Sequence, residues 1–81
     1  MHSKQRMIIQ IDFPGEQIDM RKIGHLLSGT GVDLDEHFGV VPVDAASGRY
    51  VVRGSGDQQA KEALRAIEGI QIFPDQRITP A

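Results

Sequence analysis

The 81-residue chain contains no cysteine. This absence excludes a disulfide framework, a thiolate metal site and a cysteine nucleophile. A domain of this length is close to the lower limit for a self-sufficient core, so packing alone must stabilise it. Its expected net stability is therefore only about 4–8 kcal/mol. Because cysteine-free chains occur in both reducing and oxidising compartments, this feature does not indicate a location.

The chain also lacks an excess of either charge and any long apolar run. Its formal net charge is −2 and its isoelectric point is about 5.8, so it offers no electrostatic basis for binding nucleic acid or an anionic membrane. No apolar run approaches the roughly 20 residues that a membrane-spanning helix needs. Residues 1–6 are polar and lack the apolar segment of a signal peptide, so we interpret them as a disordered leader.

Catalytic and cofactor-binding patterns are absent as well. None of the four serines lies in a nucleophile-elbow pattern. His25 falls beside the apolar stripe of a predicted helix, where a structural histidine is common. The acidic run that ends at His37, residues 33–37, alternates between strand faces and is better explained as a solvated edge than as a metal site. Residues 54–56 lack the lysine and the length of a phosphate loop and suit helix capping instead. We therefore predict a protein that is not an enzyme and has no cofactor or metal.

The residue patterns predict alternating strands and helices. Met7, Ile9, Ile11 and Phe13 alternate with the period of a strand that has one buried face. The second helix carries apolar residues at i, i+3, i+4 and i+7 after the N-cap Asp57. The predicted elements are a strand at 7–13, a helix from about 16 to 27, an irregular extended region at 32–43, a hairpin connection at 44–48, a strand at 49–53, a helix from 57 to 69 and a strand at 70–73.

This order predicts an α+β fold of ferredoxin-like βαββαβ type, with a four-stranded antiparallel sheet and two helices on one face, over residues 7–74. RNA-binding modules share this topology, but they stack bases on aromatic side chains of the central strands. Only Tyr50 is placed for that role here, which disfavours RNA binding.

Two helices cover only one face of such a sheet, yet three strands place apolar residues on both faces. Ile8, Val51 and Phe73 each stand beside an apolar residue of the opposite face. The uncovered face is thus predicted to carry an apolar patch, and patches of this kind often mark protein interaction sites. The alternative is that these side chains curl over the edge of the core.

Residues 75–81 form a separate C-terminal tail. Pro74 and Pro80 cannot donate to a strand ladder and favour extended geometry in the residues before them. The tail therefore either lies in a partner's groove or is an ordinary frayed terminus.

The segment from Ala60 to Ile70, followed by Phe73-Pro74-Asp75-Gln76-Arg77-Ile78, resembles the end of the pro-region of bacterial subtilisin-like serine proteases and the free-standing inhibitors similar to it. The resemblance implies an inhibitor, and possible folding chaperone, of a subtilisin-like protease, monomeric when free and heterodimeric with its target. It also implies an extracellular location if the chain is cut from a precursor and a cytoplasmic one if the chain is complete.

The same resemblance assigns roles to individual residues. The open sheet face would pack on surface helices of the protease, with Glu36 and Asp44 as candidates for capping helix N-termini. The tail would enter the substrate cleft as an added strand. Ala81 would occupy the primary specificity pocket, and the sites upstream would be filled by Pro80, Thr79, Ile78 and Arg77.

A second resemblance competes with the first. Asp12-Phe13-Pro14-Gly15 is similar to the ligand loop of ACT-like regulatory domains, and the turn from residue 25 to residue 34 also fits that family. The predicted first helix is about one turn longer than that family usually has. This alternative expects a dimer that binds a small amino-acid-like ligand near Gly15. A third class is a plain dimerising module that uses the open face.

Overall fold

The computed structural model describes residues 5–14 and 18–74, and these form a small α+β fold with two helices and a five-stranded antiparallel sheet. The elements in chain order are β1 (Gln5–Asp12), α1 (Met20–Leu26), β2 (Asp33–Leu34), β3 (Val41–Asp44), a 3₁₀ turn (Ala45–Ser47), β4 (Arg49–Gly56), α2 (Gln58–Arg65) and β5 (Ile70–Pro74).

Strand β1 lies at the centre of the sheet. It pairs with β4 along all eight residues and with β5 on its other side. The strand order is β2–β4–β1–β5, and β3 also pairs with β4. The second extended region that the sequence predicts is therefore divided into two short strands, β2 and β3, which both pair with β4. The pairing of β3 with β4 shifts register between Pro42 and Asp44. Strand β1 also begins earlier than the sequence indicated, because it includes Gln5 and Arg6 from the predicted leader.

The hydrophobic core lies on one face of this sheet. Alternate residues of β1 point toward it, and buried residues of both helices belong to the same cluster. Its members are Met7, Ile9, Ile11, Ile23, Leu27, Val52, Leu64 and Ile70. Both helices therefore cover the same face of the sheet.

The second helix begins where its sequence predicts but ends earlier, at Arg65 rather than near Gly69. Asp57 is the N-cap, and its Oδ1 accepts a hydrogen bond from the Ala60 N–H at 2.9 Å, which satisfies one of the otherwise unpaired N–H groups of the first turn. Ala60 and Leu64 are buried, while Ala63 and Ile67 are half-buried. The helical stripe therefore faces the core.

The first helix is shorter than predicted. It begins at Met20 rather than near residue 16, because Asp19 is the N-cap and its Oδ1 accepts from the Lys22 N–H at 2.8 Å. Ile18 precedes the helix but still packs against the core. Ile23 and Leu27, the predicted core-facing pair, are both buried.

Leu64→Ala is expected to lower the free energy of unfolding by about 2–5 kcal/mol, because it leaves a cavity beneath α2. The Leu64 side chain is fully buried. Urea denaturation followed by circular dichroism measures the loss. The exposed neighbour Glu62 provides the control, since Glu62→Ala is expected to change stability by no more than about 0.5 kcal/mol. Equal losses in the two variants would contradict this assignment of the core.

Candidate functional site

The sheet face opposite the core is the candidate site and is called the open face below. Ile8, Val51 and Phe73 lie on it, because their chain neighbours Ile9, Val52 and Ile72 either belong to the core or pack against it. Neither helix covers this face. The three apolar residues of the expected docking surface therefore share one face of the sheet.

The strand register brings these apolar side chains together. Ile8 lies directly opposite Phe73 in the pairing of β1 with β5. Val51 lies opposite Val41 in the pairing of β3 with β4, and opposite Gln10 in the pairing of β1 with β4. Ile8 and Val51 are therefore diagonal neighbours on this face.

These four residues, Phe73, Ile8, Val51 and Val41, are called the apolar strip. Phe73 is 45% exposed and Val41 is 41% exposed, while Ile8 and Val51 are half-buried. The strip runs diagonally from the edge strand β5 across the sheet to β3. Sequence reasoning missed Val41, because its place on this face depends on the register of β3 against β4.

A cation and an aromatic ring border the strip on one side. Arg53 lies opposite Ile8, and its guanidinium carbon is 4.9 Å from the centroid of the Phe38 ring, a favourable cation–π distance. Phe38 belongs to the loop between β2 and β3. The Asp35 carboxylate in this loop accepts from the N–H groups of His37 at 3.0 Å and Phe38 at 3.3 Å. This turn holds Phe38 beside Arg53.

The other end of the open face carries an ion pair. Arg49 Nε donates to Asp12 Oδ1 at 2.9 Å, and this contact raises the pKa of Arg49 above its usual value, so its guanidinium stays charged. Asp44 lies opposite Arg49 on β3. Two carboxylates and one guanidinium therefore meet at this end, which leaves it net acidic.

The two acidic candidates from the sequence are not brought together. Asp44 lies opposite Arg49, at the start of β4. Glu36 lies near Arg53 of the same strand, because the N–H of the preceding residue, Asp35, donates to the Arg53 carbonyl at 2.8 Å. Arg49 and Arg53 are roughly 13 Å apart along β4, so Asp44 and Glu36 adjoin different parts of this strand. Glu36 also lines a shallow hollow with the loop that follows α1. Asp44 is therefore the acidic candidate that adjoins the open face.

Local hydrogen bonds lower the pKa of Asp44 below its ordinary value of 3.8, chiefly through the Ser47 hydroxyl and then the Ser47 N–H. The N–H to Oδ1 distance is 3.4 Å. Because the folded-state pKa is depressed, this stabilisation is present above about pH 3.8 and is lost as pH falls toward the lowered value.

Ser47→Ala is expected to return the pKa of Asp44 toward its ordinary value, because the variant lacks the hydroxyl that donates to the carboxylate. A carbon-detected NMR titration of the side-chain carboxyl groups measures the midpoint. Ser28→Ala is the matched control, since the Ser28 hydroxyl donates to the His25 carbonyl instead. If the Asp44 midpoint is the same in both variants, the assigned hydrogen bond is wrong.

The predicted tail residues Arg77, Ile78, Thr79, Pro80 and Ala81 lie outside the described residues. The described chain ends in β5, which pairs only with β1 and so forms one edge of the sheet.

The residues considered for catalysis or metal binding do not converge. His25 and His37 are both exposed, on α1 and in the loop between β2 and β3. Among residues 5–14 and 18–74, no group of three or more His, Asp or Glu side chains could hold a metal ion. In the same part of the chain, no helix is long and apolar enough to span a bilayer.

Comparison of the chain with models of protein families, with curated proteins and with solved structures finds no match in any of the three. The resemblances to subtilisin pro-regions and to ACT-like domains therefore rest on the sequence motifs alone.

Proposed function

We propose that this chain is a propeptide-like inhibitor of a subtilisin-like serine protease, that it docks through the open face, and that the same contact assists folding of the protease. The observation that carries the proposal is the apolar strip. It lies on the face that neither α1 nor α2 covers, and it includes Phe73 on β5, the strand that precedes the C-terminal tail. Contiguous apolar patches on the surface of a small protein often mark interaction sites.

The charges around the strip support a partner that presents helix N-termini. Asp12 and Asp44 give one end of the open face its net acidic character. A helix N-terminus carries a partial positive charge and unpaired N–H groups, so it favours a carboxylate. Asp44 is exposed, and the hydrogen bonds from Ser47 that lower its pKa favour the ionised carboxylate.

The position of β5 supports the proposed entry of the tail into a substrate cleft. Edge strands have one row of backbone groups without a partner in the sheet, and the tail follows β5 directly in the sequence. In a protease cleft, main-chain hydrogen bonds would provide affinity and successive side chains would fill the subsites. Pro80 within the tail and Pro74 immediately before it restrict the backbone, which reduces the entropy lost on binding.

We also infer that the sheet is ferredoxin-like with a divided second strand. Strands β2 and β3 both pair with β4 and are separated only by the loop at 35–40. Counted as one strand, they give the order second–third–first–fourth, which is the order of a split βαβ fold.

The test is a titration of the purified chain against a subtilisin, with hydrolysis of a small peptide substrate as the readout. Potent inhibition is expected. Truncation after Asp75 is expected to weaken inhibition at least tenfold, or about 1.4 kcal/mol. A chain that lacks residues 1–4 is the control and should inhibit like the parent.

Absence of inhibition at micromolar concentration, with the domain degraded as a substrate, would overturn the proposal. The ACT-like alternative would then be favoured by a dimer in sedimentation experiments together with binding of a free amino acid.

A further inference from the structure

Helix α1 packs more loosely against the sheet than α2 does. The backbone of α2 lies close to β4 and β5, whereas α1 makes few close backbone contacts with any strand. A Cβ atom added to Gly56 of β4 would lie 2.7 Å from the Ala60 Cβ of α2, but one added to Gly24 of α1 would meet no described atom within 4 Å outside its own helix backbone. A shallow hollow also opens between the end of α1 and β2. The attachment of α1 to the rest of the fold therefore depends on a few side chains.

Two of these side chains are buried. They are Ile23, the only buried residue within α1, and Leu27 at its C-cap. Leu26 is partly buried and packs against the core. Lys22 also reaches the Phe13 ring, with its ammonium 5.8 Å from the ring centroid, but a cation–π contact at an exposed position contributes little. Ile23 and Leu27 therefore provide most of the burial that holds α1 in place.

The sequence of α1 has only a weak preference for helical structure. The helix has seven residues, fewer than an isolated helix needs in water, and its interior residue Gly24 is less favourable there than alanine. All eight residues of α2 are, by contrast, strong helix formers. Gly29 and Gly31 follow α1, and glycine gains more backbone freedom than any other residue when it is released from a folded structure. These differences favour opening of α1 over opening of α2.

We propose that residues 18–31 open as a unit in the native protein while the sheet and α2 stay folded. No residue of this segment belongs to a strand, so its opening breaks no strand pairing. The backbone freedom that the segment regains offsets the lost burial of Ile23 and Leu27. Once open, the segment gives a protease access to internal peptide bonds. The proposal concerns the free chain and does not depend on the proposed inhibition of a protease.

The experiment is native-state hydrogen exchange of the full ¹⁵N-labelled chain, followed by NMR and corrected for the intrinsic rate of each amide. The two helices offer matched pairs of amides. Ile23 and Lys61 each donate to the carbonyl of the N-cap residue of their helix. Leu27 and Ala66 are the two C-caps. The α1 amides are expected to exchange at least about tenfold faster than the α2 amides, and similar rates in both pairs would overturn the proposal.

Two substitutions at exposed positions separate opening of α1 from opening of the whole domain. Gly24→Ala is expected to slow exchange of the α1 amides about fivefold, because alanine favours the helix. Glu62→Gly weakens α2 in the opposite sense, so it is expected to speed exchange of the α2 amides about fivefold and to leave the α1 amides unchanged. Equal acceleration in both helices by Glu62→Gly, or no effect of Gly24→Ala on α1, would mean that the segment does not open by itself.

Limited proteolysis provides a second readout. Thermolysin cleaves before large apolar residues and should cut the folded chain within residues 18–31. Gly24→Ala should slow this cut about fivefold, since cleavage of a transiently open segment follows the population of the open form. Cleavage within β1, β4 or α2 at the same rate would show that the domain opens as a whole and would overturn the proposal.

Discussion

Phe73→Asp combined with Val41→Asp is expected to weaken inhibition of a subtilisin-like protease at least a hundredfold, or about 2.7 kcal/mol. Both side chains belong to the apolar strip, and neither is a member of the buried core cluster. In the proposed complex, each aspartate would be buried against the protease without a partner, and an unpaired buried charge is strongly unfavourable.

The control for this double variant adds the same charge elsewhere. Gln58 and Gln59 are exposed on α2, which lies on the other side of the sheet from the strip. Gln58→Asp with Gln59→Asp should therefore inhibit like the parent. Circular dichroism checks that both variants remain folded. If the folded strip variant inhibits as well as the parent, the open face is not the docking surface.

Gly48→Ala is expected to destabilise the domain by about 3 kcal/mol or more. Gly48 has a φ of +71°, which is unfavourable for any residue with a Cβ atom. A Cβ atom there would also lie 2.6 Å from the Phe13 carbonyl oxygen and 2.6 Å from the Pro14 Cα. Both are backbone atoms, and the Phe13 N–H is itself bonded to the Gly48 carbonyl, so neither side can easily move away.

Gly29→Ala separates the two causes of this loss. Gly29 has a φ of +88°, but a Cβ atom there would meet nothing within 4 Å. It should therefore lose only the conformational part, about 1–2 kcal/mol. Urea denaturation of the two variants measures the difference. Similar losses would mean that the close approach of the hairpin to the end of β1 is not a structural constraint.

Local sequence signals were sufficient to place the start of a helix where the N-cap residue and the apolar periodicity agree. Helix α2 combines the N-cap Asp57 with an apolar stripe, and it begins where predicted, although it ends at Arg65 rather than near Gly69. The start of α1 was less clear, because acidic residues at 16 and 19 both suit a first turn and Ile18 continues the apolar pattern. The choice of Asp19 as N-cap leaves Ile18 free to pack against the core from outside the helix.

The open face was predictable in part. The paired apolar residues of three strands indicated Ile8, Val51 and Phe73 from the chain alone, because strand alternation assigns faces without knowledge of the neighbours. Val41 and Phe38 could not be assigned in this way. Val41 reaches the strip through its register with β4, and Phe38 is held near Arg53, which is 15 residues away in sequence. Such contacts depend on strand pairing, which a local pattern does not specify.

Methyl NMR of the domain bound to a subtilisin whose catalytic serine is replaced by alanine, so that the domain is not digested, tests the docking proposal most directly. With selective labelling of isoleucine and valine methyl groups, addition of one equivalent of protease should shift or broaden Ile8, Val41 and Val51. The methyl group of Ile18, on the helix side, should change little. Perturbation of Ile18 while the three strip residues stay unchanged, or no perturbation at all, would contradict docking through the open face.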